Sequence, residues 1–420
     1  MTMRAHPTKK GYRTIRLPLT ESAYDRFLTD RASAKARREE LYEECAALFP
    51  DALPWGYALC GSTEPSLQQP LLGRRRRLEQ GRTVFTIAPA IVMPSMTGRT
   101  QDVDPALFLR RVPVPCWAMA HVLGRDAMSW YRLEQGVGRF SLVGTPVKNP
   151  ERCPKDLGAE AKQSWVQGER VSSATTAAQD GLLGAAVAPA ASQADLEQAS
   201  GVCASAARTL DAQDAPHTVN TDGWQATQGA WQALCTPSTV IRCLLHAFLN
   251  IRDRATTTLG EVFAQVQKRV GEAYHAPSNR AVSPRLRRLR PGAETALPEG
   301  VMQSHTLDLC GKRAQFRKSS EHPEAHRTST MVDRLRKLLD RAFFHAQYFH
   351  GMSDAAESRV RAVAWLWNCC PSSPQTVRKH AGQACPAERL SGKRYADNWL
   401  EHVLVCGSMN GVEQDPQNPL

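Results

Sequence analysis

The chain has 420 residues, of which 53 are Lys or Arg and 41 Asp or Glu, a formal net charge of +12. That length predicts two or three domains. No apolar run approaches the ~20 residues of a membrane span, and the Met1-Thr-Met-Arg start has no apolar signal core, so the expectation is a cytoplasmic protein rather than a membrane or exported one. A balance this basic predicts an anionic polymer as partner, with a merely solvated basic face as the alternative. The twelve cysteines include no Cys-x-x-Cys pair, which argues against zinc and disulfide frameworks and for a reducing interior. Cys116 and Cys243 lie in apolar stretches and read as small buried hydrophobes.

From the N-terminus, Tyr12 to Leu19 reads as a strand and Ser22 to Leu48 as helical. Residues 50–71 read as irregular. Arg74-Arg-Arg-Arg77 follows, read as either a phosphate-contacting edge or a solvated patch, and then a strand over Thr83 to Ile87. Asp104-Pro105 reads as a helix start, with Pro at the first helical position. Cys116 to Leu123 is a short helix ended by Gly124, and Asp126 caps another over Ala127 to Val137. Short helix, glycine turn and capped helix form a helix-turn-helix pattern, with Ser129, Arg132 and Gln135 expected to face a DNA groove; a plain packing hairpin is the alternative.

Further along, Ser164 to Val171 reads as a hairpin turning at Gln167-Gly168-Glu169. Strands over Val171 to Thr176 and Leu182 to Ala188 follow, then a helix over Leu196 to Leu210. His217 to Thr221 is a β-rich run ending at Asp222, and Gly223 lets the backbone turn into a helix over Gln225 to Leu234. Thr239 to Leu245 reads as a buried strand, with His246 at its tip. Asp222 and His246 are therefore expected at one end of a parallel sheet, where α/β proteins carry their chemistry. Ala247 to Ser319 reads as helical and basic, with Arg285, Arg287, Arg288 and Arg290 ending at Pro291 and a loop over Gly292 to Gly300. Thr328 to Arg341 and Ala355 to Asn368 are helices. Beyond Pro371 the tail is rich in Pro, Ser and Gly, and Tyr395 to Cys406 is expected to pack on the core.

Three segments carry a family resemblance: Val219-Asn-Thr-Asp222-Gly-Trp-Gln-Ala-Thr, Cys243-Leu-Leu-His246-Ala-Phe-Leu-Asn-Ile-Arg-Asp253 and His326-Arg-Thr-Ser-Thr-Met-Val-Asp333-Arg-Leu. With the upstream run Phe108-Leu-Arg-Arg-Val-Pro-Val-Pro-Cys-Trp, the chain resembles, over nearly its whole length, bacterial insertion-sequence transposases of the DDE type, distantly similar to Mutator-like transposases. The resemblance implies an α/β fold, a ribonuclease H-like mixed sheet with a helical insertion, preceded by a mainly helical DNA-binding domain. The implied divisions are 1–98 (N-terminal mixed region), 99–150 (helix-turn-helix-like), 151–246 (first part of the catalytic domain), 247–325 (insertion) and 326–420 (remainder of the catalytic domain and tail). It also implies Mg²⁺, with Mn²⁺ as a substitute, held by three carboxylates because a hard ion seeks oxygen. The partners it implies are double-stranded DNA at terminal inverted repeats and further copies of the chain assembled on that DNA, near the bacterial nucleoid.

Onto the family pattern, Asp222 falls at the second carboxylate, with helix capping as the alternative reading. Glu160, within Ala159-Glu160-Ala161-Lys162, stands where the family has aspartate, and Ala161 stands where it has another acidic residue. The extra methylene of Glu160 moves its oxygens by roughly 1.5 Å; a solvated strand-edge residue is the alternative. Asp333 fits the third carboxylate, with Glu357 one helix later as the other candidate and a surface pair with Arg336 or Lys337 as the bland one. His246 is expected to orient a carboxylate or the DNA end, or else to be a boundary histidine satisfied by backbone; the Cys-x-x-His pair is not a zinc site in the family. Ser172-Ser173 breaks what should be an apolar strand. Beside transposition, the sequence leaves open a catalytically inactive transposase-derived DNA-binding protein and a ribonuclease H-like nuclease that cuts without joining.

Overall fold

The computed structural model describes residues 14–411 apart from 52, 63–73, 79–83, 94–97, 139–146, 148, 255–259, 323–324, 326–327, 329 and 346–352. It divides into two compact units: residues 1–148, 345–347 and 352–420 form the first, and 149–344 with 348–351 the second. Residues 352–420 thus belong with the N-terminal unit, not with a catalytic piece running from 326 to 420.

The first unit contains a four-stranded sheet, β1 (Thr14–Leu17), β2 (Tyr57–Ser62), β3 (Arg74–Leu78) and β4 (Val84–Pro89), in the order β1-β4-β3-β2. Two features differ from the sequence reading. The 50–71 stretch contains β2, and the four arginines are themselves a strand, paired on both sides. The helical run from Ser22 is divided into α1 (Glu21–Thr29) and α2 (Arg31–Glu44). The break falls at Asp30, whose carboxylate accepts the Ala32 N–H and restarts the helix. Tyr24, Phe27, Leu41 and Phe49 pack under Ile15, Leu17 and Ile87, with Val405 and Met409 from the far end of the chain closing the core.

The helical part of this unit begins with α3 (Thr100–Arg111), which starts four residues before Asp104 and carries Pro105 inside it. It continues with α4 (Cys116–Leu123) and α5 (Ala127–Gly138). Arg132 is exposed, but Gln135 is buried and Ser129 half-buried, so the outward face of α5 is narrower than its spacing suggested. The reason is α14 (Ser353–Cys369), which crosses α5 so closely that a Cβ on Gly138 would collide with the Ser358 carbonyl. At the same place Glu134 Oε2 accepts from Arg110 Nε and Nη2 at 3.0 and 2.7 Å, with Arg359 4.0 Å away. A buried carboxylate is tolerated there because two guanidiniums face it. Cys116 is half-buried and Cys243 fully buried.

The second unit is built on a five-stranded mixed sheet. Its strands are β5 (Asp156–Val166), β6 (Glu169–Ala178), β7 (Gly181–Ala188), β8 (Thr218–Thr221) and β9 (Thr239–Arg242), in the order β7-β6-β5-β8-β9. β5, β6 and β7 are antiparallel neighbours; β8 and β9 run parallel to β5. β5 starts eight residues before the expected hairpin, so Glu160 is a strand residue, and Gln167 and Gly168 make the turn, both at positive φ. One face of the sheet, with Ala161, Ala174 and Ala188, is covered by α6 (Gln193–Leu210) through Leu196 and α7 (Gln225–Leu234) through Ala230.

After β9 come five helices: α8 (Leu244–Arg252), α9 (Gly260–Tyr274), α10 (Asn279–Ala296), α11 (Val301–Gly311) and α12 (Arg313–Glu321). They share a core of Leu244, Ile251, Val266, Val270, Leu286, Leu289, Leu309 and Phe316. α10 passes through Pro291 to Ala296, where the sequence suggested a loop. No helix among the described residues is long and apolar enough to cross a membrane, and the described cysteines are free thiols.

One group in the first unit generates a stability prediction. His402 is 1% exposed, and its Nδ1 accepts the Tyr395 N–H at 3.1 Å. Burial, aided by Arg394 against the opposing pull of Glu388, lowers its pKa to about 4. The folded protein therefore keeps this ring neutral while an unfolded chain protonates it near pH 6.5. The stability this group contributes is full above pH 6.5 and is lost as pH falls from there toward 4, on the order of 3 kcal/mol in all. Urea unfolding of the wild type should weaken over that window. His402→Gln should flatten the dependence, and an equal slope in both proteins would contradict the assignment.

Candidate metal centre

Parallel pairing sets the centre. Ala159 on β5 lies opposite Thr221 on β8, so the next residues, Glu160 and Asp222, emerge side by side. β8 ends at Thr221, and Gly223, at φ +99°, turns the chain into α7; a Cβ there would meet Arg242 Nε at 2.7 Å. Asp222 Oδ1 accepts the Trp224 N–H at 2.9 Å. Asp222 is not the cap of α7, whose N-cap is Trp224 without a side-chain cap bond; the turn hydrogen bond holds the Asp222 carboxylate at the sheet edge.

β9 is shorter than the sequence reading made it. It stops at Arg242, and Cys243, whose N–H bonds Thr221 O at 2.9 Å, is the N-cap of α8. His246 is therefore on the first turn of a helix, not on a strand tip, yet it reaches the same edge of the sheet. Its Nε2 lies 3.3 Å from Asp333 Oδ1. The side chain of Cys243, at the N-cap three residues back, lies near enough to help raise the pKa of the same imidazole.

Asp333 is delivered by α13 (Thr330–His345), which lies along the sheet face that α6 and α7 leave uncovered. Its seat is Gly158: a Cβ at that position would come within 2.2 Å of Val332 Cγ2. One turn on, Arg336 Nη1 donates to Ser173 O and Oγ at 3.0 and 3.1 Å. A further turn brings Asp340 to Lys162, and Arg334 pairs with Asp180 at the β6–β7 turn. Ser172 and Ser173, which look like defects in an apolar strand, are fully buried, and Ser173 is the acceptor that Arg336 requires. Asp333 does not pair with Arg336 or Lys337 on the surface as the bland reading had it; its partner is His246.

Glu160, His246 and Asp333 together form a group whose ligand atoms all lie within 4.8 Å of one another, so they can hold a metal ion. Glu160 is largely buried, and its Oε2 has no hydrogen-bond partner. Burial and the nearby Asp333 raise its pKa to about 7, against the opposing charge of Arg336. Asp222 is raised by burial, against the Trp224 hydrogen bond and His246. For His246, burial favours the neutral ring, but Asp333 and Cys243 outweigh it and raise its pKa. The orphaned carboxylate oxygen and the mutually repelling acids would be satisfied by a bound cation, and the imidazole would give up its proton to ligate it.

Of the four residues expected from sequence, the structure thus brings Glu160, His246 and Asp333 together in ligand geometry, and Asp222 stands beside them within electrostatic reach. Glu357, the other candidate third carboxylate, belongs to the first unit, where it pairs with Arg361 at 3.6 Å. His246 entered the sequence reading as an orienting residue; the structure places it among the ligand atoms. Two contributors were missed. Arg336 and Gly158 carry no motif, and only the β5 register against α13 reveals them. No protein-family model matches the chain, and a search of curated proteins finds no match.

Gly158→Ala tests the seat of α13. Overpacking against a β-branched side chain costs about 1–3 kcal/mol. The melting temperature should fall by several degrees, and divalent-ion stabilisation should weaken with it, because Asp333 moves with Val332. An unchanged melting temperature and unchanged ion response would show that α13 does not depend on this close approach.

Proposed function

We propose that the chain is a DNA transposase: a metal-dependent phosphoryl-transfer enzyme of ribonuclease H-like fold that cleaves and joins strands at the ends of an insertion element. The observation that carries the reading is the convergence of Glu160, His246 and Asp333, with Asp222 alongside, at the carboxyl end of parallel strands. The strand order, three antiparallel strands followed by two parallel to the first, supports the ribonuclease H-like assignment. Support for an anionic polymer as substrate comes from the net charge of +12. The resemblance of the Asp222, His246 and Asp333 segments to insertion-sequence transposases supplies the choice of DNA ends over other polyanions.

A divalent ion of the Mg²⁺ or Mn²⁺ class, when bound, polarises the scissile phosphate and lowers the pKa of an attacking water or 3′-hydroxyl. The chain's own residues do the rest. Glu160, His246 and Asp333 fix the ion's position on three separate elements. Asp222, anchored by the Trp224 N–H, adds a third carboxylate beside them. Arg336 stabilises the ionised form of Glu160 from within the sheet face, and Arg242 does the same for Asp222. In this reading Arg132 on α5 meets the DNA groove, Arg74 to Arg77 hold duplex phosphates, and copies of the chain assemble on the two ends of the element.

The test is strand cleavage and joining on supercoiled DNA carrying the element's own ends, with Mg²⁺ and then Mn²⁺. Wild-type protein should cut at the ends. Asp222→Asn should lower cleavage roughly 100-fold or more while leaving DNA binding intact. Glu160→Asp should also lower cleavage, since the sheet and α13 position the longer arm. DNA binding without cleavage under either ion would instead identify a silent binding protein. Cutting of an RNA–DNA hybrid without end preference would identify a nuclease.

A further inference from the structure

A cavity of about 620 Å³, within the size range of small-molecule sites, opens in the first unit. Four segments far apart in sequence wall it. Arg37, Leu41 and Glu44 stand at helical spacing on one face of α2. The turn from β1 into α1, the start of α3 and the stretch from Arg394 to Glu401 supply the rest. Asn398 fixes the last of these. Its Oδ1 accepts the N–H groups of Leu400 and Glu401 at 2.8 and 3.2 Å, capping the helix Trp399–Gly407. Its Nδ2 donates to Asp104 Oδ2 on α3 at 3.0 Å. Glu401, in the first turn of that helix, accepts the Thr100 hydroxyl at 3.0 Å, so its carboxylate is held at the cavity wall.

The charges on these walls do not balance. Each cation is engaged: Arg37 with Glu40 at 2.6 Å, Arg99 with Glu21 at 2.7 Å, and Arg394 with both oxygens of Glu388 at 2.7 and 3.1 Å. Glu40 and Glu388 lie outside the lining, so two of the three arginines are neutralised from elsewhere. Glu44, Asp397 and Glu401 line the cavity with no ion-pair partner among the described residues, although Arg394 feels the charge of Asp397. Burial raises the pKa of Glu401 against the Thr100 hydrogen bond, and Asp397 and Asp104 add repulsion. These acids are not gathered as metal ligands; among the described residues that spacing belongs to Glu160, His246 and Asp333. The remaining wall is apolar: Leu19, Leu41 and Ile91, with the Tyr395 ring stacked on buried His402 at 5.5 Å.

We propose that this cavity binds an aliphatic ammonium ion, either a free diamine or polyamine or the side chain of a lysine, with its charged nitrogen among Glu44, Asp397 and Glu401 and its methylenes on the apolar wall. Such a cation divides its surface as the cavity does, an apolar stem and a charged head. An anion would meet three carboxylates that lack partners. A purely apolar molecule would strip water from them without compensation. The Tyr395 ring adds an aromatic surface of the kind that attracts a cation. The proposal does not depend on the reading of the metal centre.

The test is isothermal titration of the purified full chain with cadaverine and with spermidine, beside glutarate, a dianion of similar length, at physiological ionic strength so that loose surface binding is screened. Both amines should bind saturably at one equivalent and raise the melting temperature, and glutarate should do neither. Glu401→Gln keeps an acceptor for Thr100 and removes the charge. It and Asp397→Asn, at an exposed position whose change leaves the fold intact, should each weaken amine binding roughly 10-fold. Glu43→Gln, exposed on α2 and outside the lining, should bind as the wild type does. A lysine peptide blocked at both ends separates the two sources: binding tighter than cadaverine assigns the site to a protein side chain, and weaker binding assigns it to a free amine. Absence of saturable amine binding, equal affinity in the wild type and both cavity variants, or binding of glutarate in place of the amines overturns the proposal.

Discussion

The candidate site depends on the way α13 lies in step with β5. Val332, Arg336 and Asp340 are four residues apart, about 6 Å per step along a helix. Gly158, Glu160 and Lys162 are two residues apart on one face of a strand, about 6.6 Å per step. The two repeats nearly coincide, so one face of the helix meets one face of the strand at three successive points: Val332 over Gly158, Arg336 near Glu160 and Asp340 at Lys162. The absent side chain at Gly158 allows the approach. Asp333, one residue past the closest point, is carried to His246 as a consequence.

That docking brings like charges together, and the fold answers with buried cations. Glu160 and Asp333 repel each other in a half-buried setting, with Asp222 close by. Burial lowers the pKa of Arg336, 3% exposed, but Asp340 and Glu160 oppose the shift, and Ser173 accepts hydrogen bonds from its guanidinium. Arg242 performs a similar office for Asp222. It lies against Gly223, sits 3.3 Å from Asp308 on α11, and stacks over the Phe316 ring of α12. The helices that follow β9 are thereby tied to the edge of the sheet that carries the site. The first unit uses the same device at Glu134, between Arg110 and Arg359. In each case removal of one partner would strand a charge in a low dielectric, which is why such pairs specify an arrangement more than they stabilise it.

The sequence made much of this legible where the signal was local. The turn at Gln167-Gly168, the strand before Asp222 and the helix after it follow from turn chemistry and periodicity, and the structure places them as read. Asp222 and His246 were expected at one sheet edge, and they are there, although His246 arrives on a helix. Its strand was overextended because Cys243-Leu-Leu is as apolar as a buried strand; the helix start shows only in the backbone. What sequence could not give was anything set by contact at long range. Gln135 has helical spacing that suggests an outward residue, but α14, some 220 residues later, buries it. Ser173 looks misplaced until Arg336 is found against it. The assignment of residues 352–420 to the N-terminal unit leaves no local trace at all, because helix amphipathicity shows that a face is buried and not what covers it.

The central claim is that the step between β5 and α13 assembles a divalent-ion centre from Glu160, His246 and Asp333. Crystals of the full chain soaked in Mn²⁺ and measured for anomalous scattering at the manganese edge test it most directly. The account predicts a single dominant peak within about 2.3 Å of one atom from each of the three side chains, with α13 seated over Gly158. An absence of any peak among these residues at saturating Mn²⁺, or a peak that excludes Asp333, would contradict it.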